Sequence, residues 1–156
     1  MYVFDNGPLI TLFKHYYPER FPSLWKKFDA LRAEGKIISV REVKNEIERY
    51  AETDRLITWT KRSTQFFPTP IHEELLFVAE IFKIKHFQNL IKKKELLKGR
   101  PVADPFIIAK ARVMDGCVVT LEKYKENSAQ IPNVCDKFGI ACVDLEGFME
   151  RVHWIF

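Results

Sequence analysis

Four short β-prone runs, Tyr2-Val3-Phe4, Ile37-Ile38, Cys117-Val118-Val119-Thr120 and Ile140-Ala141-Cys142-Val143, are spread along a chain of 156 residues, and the stretches between them read as helical. Antiparallel neighbours can be joined by a two-residue turn, whereas parallel strands need a long crossover, usually a helix. No hairpin signal connects any two of these runs. The expected fold is therefore α/β, a three-layer α/β/α sandwich with a central parallel sheet.

The punctuation between the runs agrees. Asp5-Asn6-Gly7-Pro8 is a turn signal that sets Pro8 at the start of a helix. Leu24, Trp25, Phe28 and Leu31 recur at helical spacing over residues 22–33, and Gly35 closes that helix. Further helical chain is expected over about 40–50 and on to about 64, over 71–97 after Pro68 and Pro70, over 104–114, near 134–138 and over 145–152. The length suits one domain, residues 1–156. With 47% hydrophobic residues and 13 phenylalanines, the core needs neither disulfides nor a structural metal. Cys117, Cys135 and Cys142 lack C-x-x-C spacing and read as reduced, structural thiols. No signal peptide opens the chain and no apolar run reaches membrane-spanning length, so a soluble cytoplasmic protein without membrane contact is expected.

A formal net charge of +4, from 25 Lys and Arg against 21 Asp and Glu, does not by itself indicate nucleic acid. Its distribution is more informative. Lys83, Lys85, His86, Lys92, Lys93, Lys94, Lys98 and Arg100 crowd one short stretch, either as a solvated helix face or as a phosphate-binding rim.

In open parallel sheets, ligands bind outside the carboxyl ends of the strands. Asp5 follows the first run directly, and Glu122 lies two residues beyond Thr120. As isolated residues they read as a turn former and a solvated loop acid. On the helix after Ile38, Ser39 and Glu42 have capping-box spacing. Glu46 has no such task. Val43, Ile47 and Tyr50 form that helix's apolar stripe, Glu46 lies against its edge, and Glu42 points further away. Asp104 precedes Pro105 as an N-cap would, yet it shares the face of Ile107, Ile108 and Ala111 and points toward the sheet. Four carboxylates converging on one cleft would repel one another unless a divalent cation lay between them. Hard oxygen donors without a Cys/His array favour Mg²⁺ or Mn²⁺ over zinc. His15, His72, His86 and His153 are scattered and read as packed or surface residues.

In their order and separations, the segments Val3-Phe4-Asp5-Asn6, Ile38-Ser39-Val40-Arg41-Glu42-Val43-Lys44-Asn45-Glu46-Ile47, Ala103-Asp104-Pro105-Phe106-Ile107-Ile108-Ala109 and Val118-Val119-Thr120-Leu121-Glu122 resemble the PIN domain superfamily. Tyr17-Pro18-Glu19-Arg20-Phe21-Pro22-Ser23-Leu24-Trp25 and Ile131-Pro132-Asn133-Val134-Cys135 look like a less characterised branch related to VapC-like toxins. The resemblance implies Mg²⁺ or Mn²⁺ dependence, RNA cleavage, a homodimer and inhibition by a cognate antitoxin. It matches Asp5, Glu46, Asp104 and Glu122 to the family's four acids, with Asp5, Asp104 and Glu122 as metal ligands. Two departures stand out: Asn6 where Ser or Thr is usual, and Glu122 where aspartate is common.

The reaction expected from this set is hydrolysis of RNA phosphodiesters, with Glu46 orienting or deprotonating the nucleophile. Asn6, Lys92, Lys93 and Lys94 are the expected substrate contacts. The competing reading is a PIN-fold RNA-binding or regulatory module that cleaves poorly, with Asn6 and Glu122 as its signs.

Overall fold

The computed structural model describes residues 1–90 and 102–156. Strands β1 (Tyr2–Phe4), β2 (Ile37–Ile38), β3 (Cys117–Val119) and β4 (Ala141–Val143) form one sheet in the order β2-β1-β3-β4, and every neighbouring pair is parallel. Tyr2 stands opposite both Ile37 and Cys117, and Val3 opposite both Ile38 and Val118. The α-helices of the described residues are α1 (Asn6–His15), α2 (Pro22–Ala33), α3 (Arg41–Tyr50), α4 (Asp54–Arg62), α5 (His72–Lys83), α6 (Asp104–Val113), α7 (Ile131–Phe138) and α8 (Leu145–Arg151).

Side chains alternate across a strand, so Tyr2 and Phe4 share a face. The Phe148 ring of α8 meets them edge-on with centroids at 5.0 and 4.9 Å, and Phe28 of α2 lies 6.3 Å from Phe4. Val3, Val118 and Cys142, aligned by register, face the other way. Right-handed crossovers place α6 and α7 on that side, which completes the three-layer α/β/α sandwich. The chain leaves β1 toward β2, then returns past β1 to form β3. The strand order thus reverses between β1 and β3, and a crevice at their carboxyl ends follows.

Several local expectations are corrected. Of the helix expected over 71–97, residues 91–97 lie outside the described residues; the described part ends at Lys83, where Ile84 is extended (φ −85°, ψ 103°), and a 3₁₀ turn over Lys85–Leu90 follows. Burial of Phe87 and Leu90 outweighs helix propensity there, and no Gly or Pro marks the break. The short helix near 134–138 begins earlier, at Ile131, with Pro132 in its first turn, a start signal already present in the sequence. Ser39 and Glu42 do not form a capping box: Val40 occupies the cap position, and Ser39 Oγ donates to the Phe4 carbonyl at 2.6 Å. A buried carbonyl at a strand end needs a donor, and that need claims the hydroxyl. Tyr50, placed in the apolar stripe of α3, is exposed at the helix end, with Arg49 over its ring.

Lys110 of α6 and Glu74 of α5 form a buried ion pair at 2.5 Å. Among the described residues, no helix is long and apolar enough to cross a membrane.

Candidate active site

The crevice is built around Asp5. Its backbone N–H donates to Val119 O at 2.9 Å, extending the β1–β3 ladder by one bond beyond β1. Its extended backbone (φ −75°, ψ 170°) then starts α1, and Oδ1 accepts from Asn6 N–H at 2.6 Å. The helix therefore begins at Asn6, earlier than Pro8 suggested, with Asp5 as its cap. Oδ2 accepts from Thr120 Oγ1 at 2.8 Å, and that hydroxyl in turn accepts from Glu122 N–H at 3.1 Å. Thr120, one residue beyond β3, so couples Asp5 to the Glu122 backbone. Burial is the main reason the Asp5 carboxyl rises from 3.8 to about 6; the Thr120 and Asn6 bonds oppose the shift and the charge of Glu122 adds to it.

Glu46 reaches the same place from α3. Its Oε2 accepts from Asn6 Nδ2 at 2.6 Å and its Oε1 from Ala103 N–H at 3.0 Å. Burial raises its pKa from 4.5 to about 7, opposed by the Ala103 bond, increased by the Asp5 charge and opposed again by Asn6. Asp104 follows Ala103 as the first residue of α6 and is half-buried. It is not the helix cap, as Asp-Pro suggested: Ala103 holds that position without a side-chain cap bond. Glu122 is half-buried, and its Oε2 accepts from Ile131 N–H at 2.8 Å, closing the exposed amide end of α7. Leu121 lies over Gly7, where an added Cβ would stand 3.4 Å from the leucine side chain.

Glu42 departs from expectation. It is only 7% exposed, and Oε1 accepts from Arg41 Nη2 at 2.7 Å and Nε at 3.1 Å, while its other oxygen is buried without a hydrogen bond among the described residues. The buried face of α3 is wider than the Val43–Ile47 stripe, and Arg41 folds back to neutralise the acid at its edge. Among the described residues, no bond links Glu42 to the Asp5 network.

The structure thus joins Asp5, Asn6, Glu46 and Glu122 through hydrogen bonds and brings Asp104 next to the backbone that holds Glu46. Lys92, Lys93, Lys94, Lys98 and Arg100 lie outside the described residues. Lys83 is exposed and paired with Glu80, and Lys85 and His86 are exposed. Sequence reasoning missed the roles of Thr120 and Ala103. A hydroxyl ending an all-apolar strand was the available signal for Thr120, whereas a backbone N–H leaves none.

The donor set fits a hard divalent cation in chemistry: every candidate is a carboxylate, and the charges acting on Asp5 and Glu46 are those of other acids. Its geometry is not a closed cage. Among the described residues, no three His, Cys, Asp or Glu side chains already stand at metal-binding separations. Asn6, Thr120 and Ile131 hold the carboxylates in hydrogen bonds instead.

Comparison with curated proteins gives no match. A family model described as a domain of unknown function (DUF4411) matches residues 2–156, and the chain belongs to that family.

Proposed function

We propose that this chain is a PIN-type endoribonuclease, dependent on Mg²⁺ or Mn²⁺, that hydrolyses RNA phosphodiesters as the toxin of a type II toxin–antitoxin pair. The observation that carries this reading is the convergence of the buried Asp5 and the half-buried Glu46, both bonded to Asn6, at the point where the strand order reverses, with the Asp5 charge adding to the raised pKa of Glu46. Such a pair is costly to maintain as structure alone. On this reading the chain is cytoplasmic, acts as a homodimer and is held inactive by a cognate antitoxin.

Asp5, Asp104 and Glu122 would hold the cation. When bound, it supplies Lewis acidity at the phosphate and makes water a better nucleophile. The chain's own groups do the rest. Glu46, with a pKa of about 7, is balanced to accept the proton of the attacking water near neutral pH. Water oxygen bonds to phosphorus, the ester P–O bond breaks, and the leaving oxygen is protonated from solvent. Asn6 and Ala103 N–H fix the Glu46 carboxylate, and Thr120 fixes Asp5.

A second reading has its own support. The amide of Asn6 is committed to Glu46 and one oxygen of Glu122 to Ile131, as a weakly cleaving RNA-binding module would tolerate. A panel of structured and unstructured RNAs, incubated with Mn²⁺ or with chelator, separates the two. New RNA ends that appear only with Mn²⁺ support the nuclease; binding without turnover supports the module.

A further inference from the structure

Away from the carboxylates, an open hollow of about 710 Å³ is walled by Phe13, Trp25 and Trp59 and edged by Arg32, Arg55 and Arg62. The buried Phe13 backs both half-buried tryptophans, 4.6 Å from Trp25 at an interplanar angle of 67° and 5.0 Å from Trp59 at 45°, centroid to centroid. Trp25 spends its indole N–H on the Tyr16 carbonyl at 2.6 Å, whereas the Trp59 N–H has no acceptor among the described residues. The arginines differ in the same way. Arg32 pairs with Asp29 at 3.2 Å and donates to Ser63 Oγ at 3.3 Å, and Arg55 lies over the Tyr17 ring, 3.7 Å from Glu19. The Arg62 guanidinium has no ion pair or hydrogen bond among the described residues, and it edges both this hollow and the adjoining one beside Phe66. Of the two acids at the rim, Asp29 is neutralised by Arg32, and Asp54 sits in the first turn of α4.

We propose that this hollow is a nucleotide subsite, with a nucleobase against the Trp59 and Trp25 rings and its phosphate on Arg62. An aromatic ring face accepts any base, and a guanidinium presents paired donors to phosphate oxygens. An acidic peptide would satisfy the arginine but leave the aromatic wall unfilled. The nucleotide can be free or one unit of a single RNA strand. Nothing in the hollow uses the carboxylates, so this site and the hydrolytic one can fail separately.

Tryptophan fluorescence of the intact protein in chelator tests the subsite, with adenosine monophosphate, adenosine, a short oligoadenylate and polyglutamate as titrants. Saturable quenching by the monophosphate is expected, with at least about tenfold weaker affinity for Arg62→Gln, the loss of one charge-assisted contact. Trp59→Phe should cut the quenching amplitude while circular dichroism stays unchanged in both variants. Tighter, salt-sensitive binding of the oligonucleotide identifies a strand as the source; equal binding of monomer and oligomer identifies a free nucleotide. Adenosine binding as tightly as its phosphate, unchanged affinity in Arg62→Gln, or displacement by polyglutamate would overturn the assignment.

Discussion

Asn6 donates its side-chain amide to Glu46 Oε2 across 2.6 Å, tying the start of α1 to the middle of α3. The bond also lowers the proton affinity of Glu46, against the effects of burial and Asp5. Asn6→Ala should therefore move the acid limb of the pH–rate profile for RNA cleavage upward, at a stability cost of about 1 kcal/mol, as for one lost hydrogen bond. Asn6→Ser should recover part of the rate. An unshifted acid limb would mean that Glu46 is not the group titrating in the reaction.

Burial makes the folded protein hold the Asp5 proton up to about pH 6, whereas the unfolded chain releases it near 3.8. The native state binds more protons in that interval, so the stabilising contribution of Asp5 is full below about pH 4 and is lost as pH rises through about 6. The size is on the order of 3 kcal/mol. Glu46 extends the window to about 7 in the same direction. In chelator, Asp5→Asn should thus gain stability over wild type as pH rises from 4 to 7. Denaturant midpoints across that range check it, and a constant difference would refute the buried-acid assignment.

Thr120 Oγ1 is the only side-chain donor to Asp5 given by the described residues, at 2.8 Å, and it also receives the Glu122 amide. Thr120→Val keeps the shape of the side chain and leaves a buried carboxylate oxygen unpaired. A loss of about 1–3 kcal/mol is expected, together with a further rise in the Asp5 pKa, followed by the carboxyl chemical shift.

The parallel sheet was legible because strands covered on both faces must be apolar throughout, and Tyr2-Val3-Phe4 and Cys117-Val118-Val119 satisfy that without alternation. Asp5 and Glu46 were legible for a related reason: one follows a strand end and the other borders a buried stripe. What escaped was set by distant partners. The Ser39 hydroxyl goes to Phe4, Glu42 is drawn inward by the folding back of Arg41, and Lys110 is buried on Glu74. Helical periodicity gives the direction of a side chain, but neither its partner nor the reach of a neighbour. The break after Lys83 follows from burying Phe87 and Leu90, a tertiary demand without a local breaker.

The Lys110–Glu74 pair gives a test of the fold that leaves the site alone. Both side chains are nearly inaccessible, at 6% and 1% exposure. Lys110→Met strands a buried carboxylate and should cost about 3–5 kcal/mol. Adding Glu74→Leu should recover most of that loss, since an apolar pair can replace a buried ion pair at little cost. Thermal denaturation of the single and double variants decides between these outcomes.

Calorimetric titration of Mn²⁺ into wild type, Asp5→Asn, Asp104→Asn and Glu42→Gln tests most directly whether the converging acids form one cation site. Saturable binding is expected in wild type and in Glu42→Gln, whose acid is already paired with Arg41, and binding should be lost in both aspartate variants while they remain folded. Unchanged Mn²⁺ affinity in Asp5→Asn and Asp104→Asn would contradict the metal-dependent site on which the proposed ribonuclease rests.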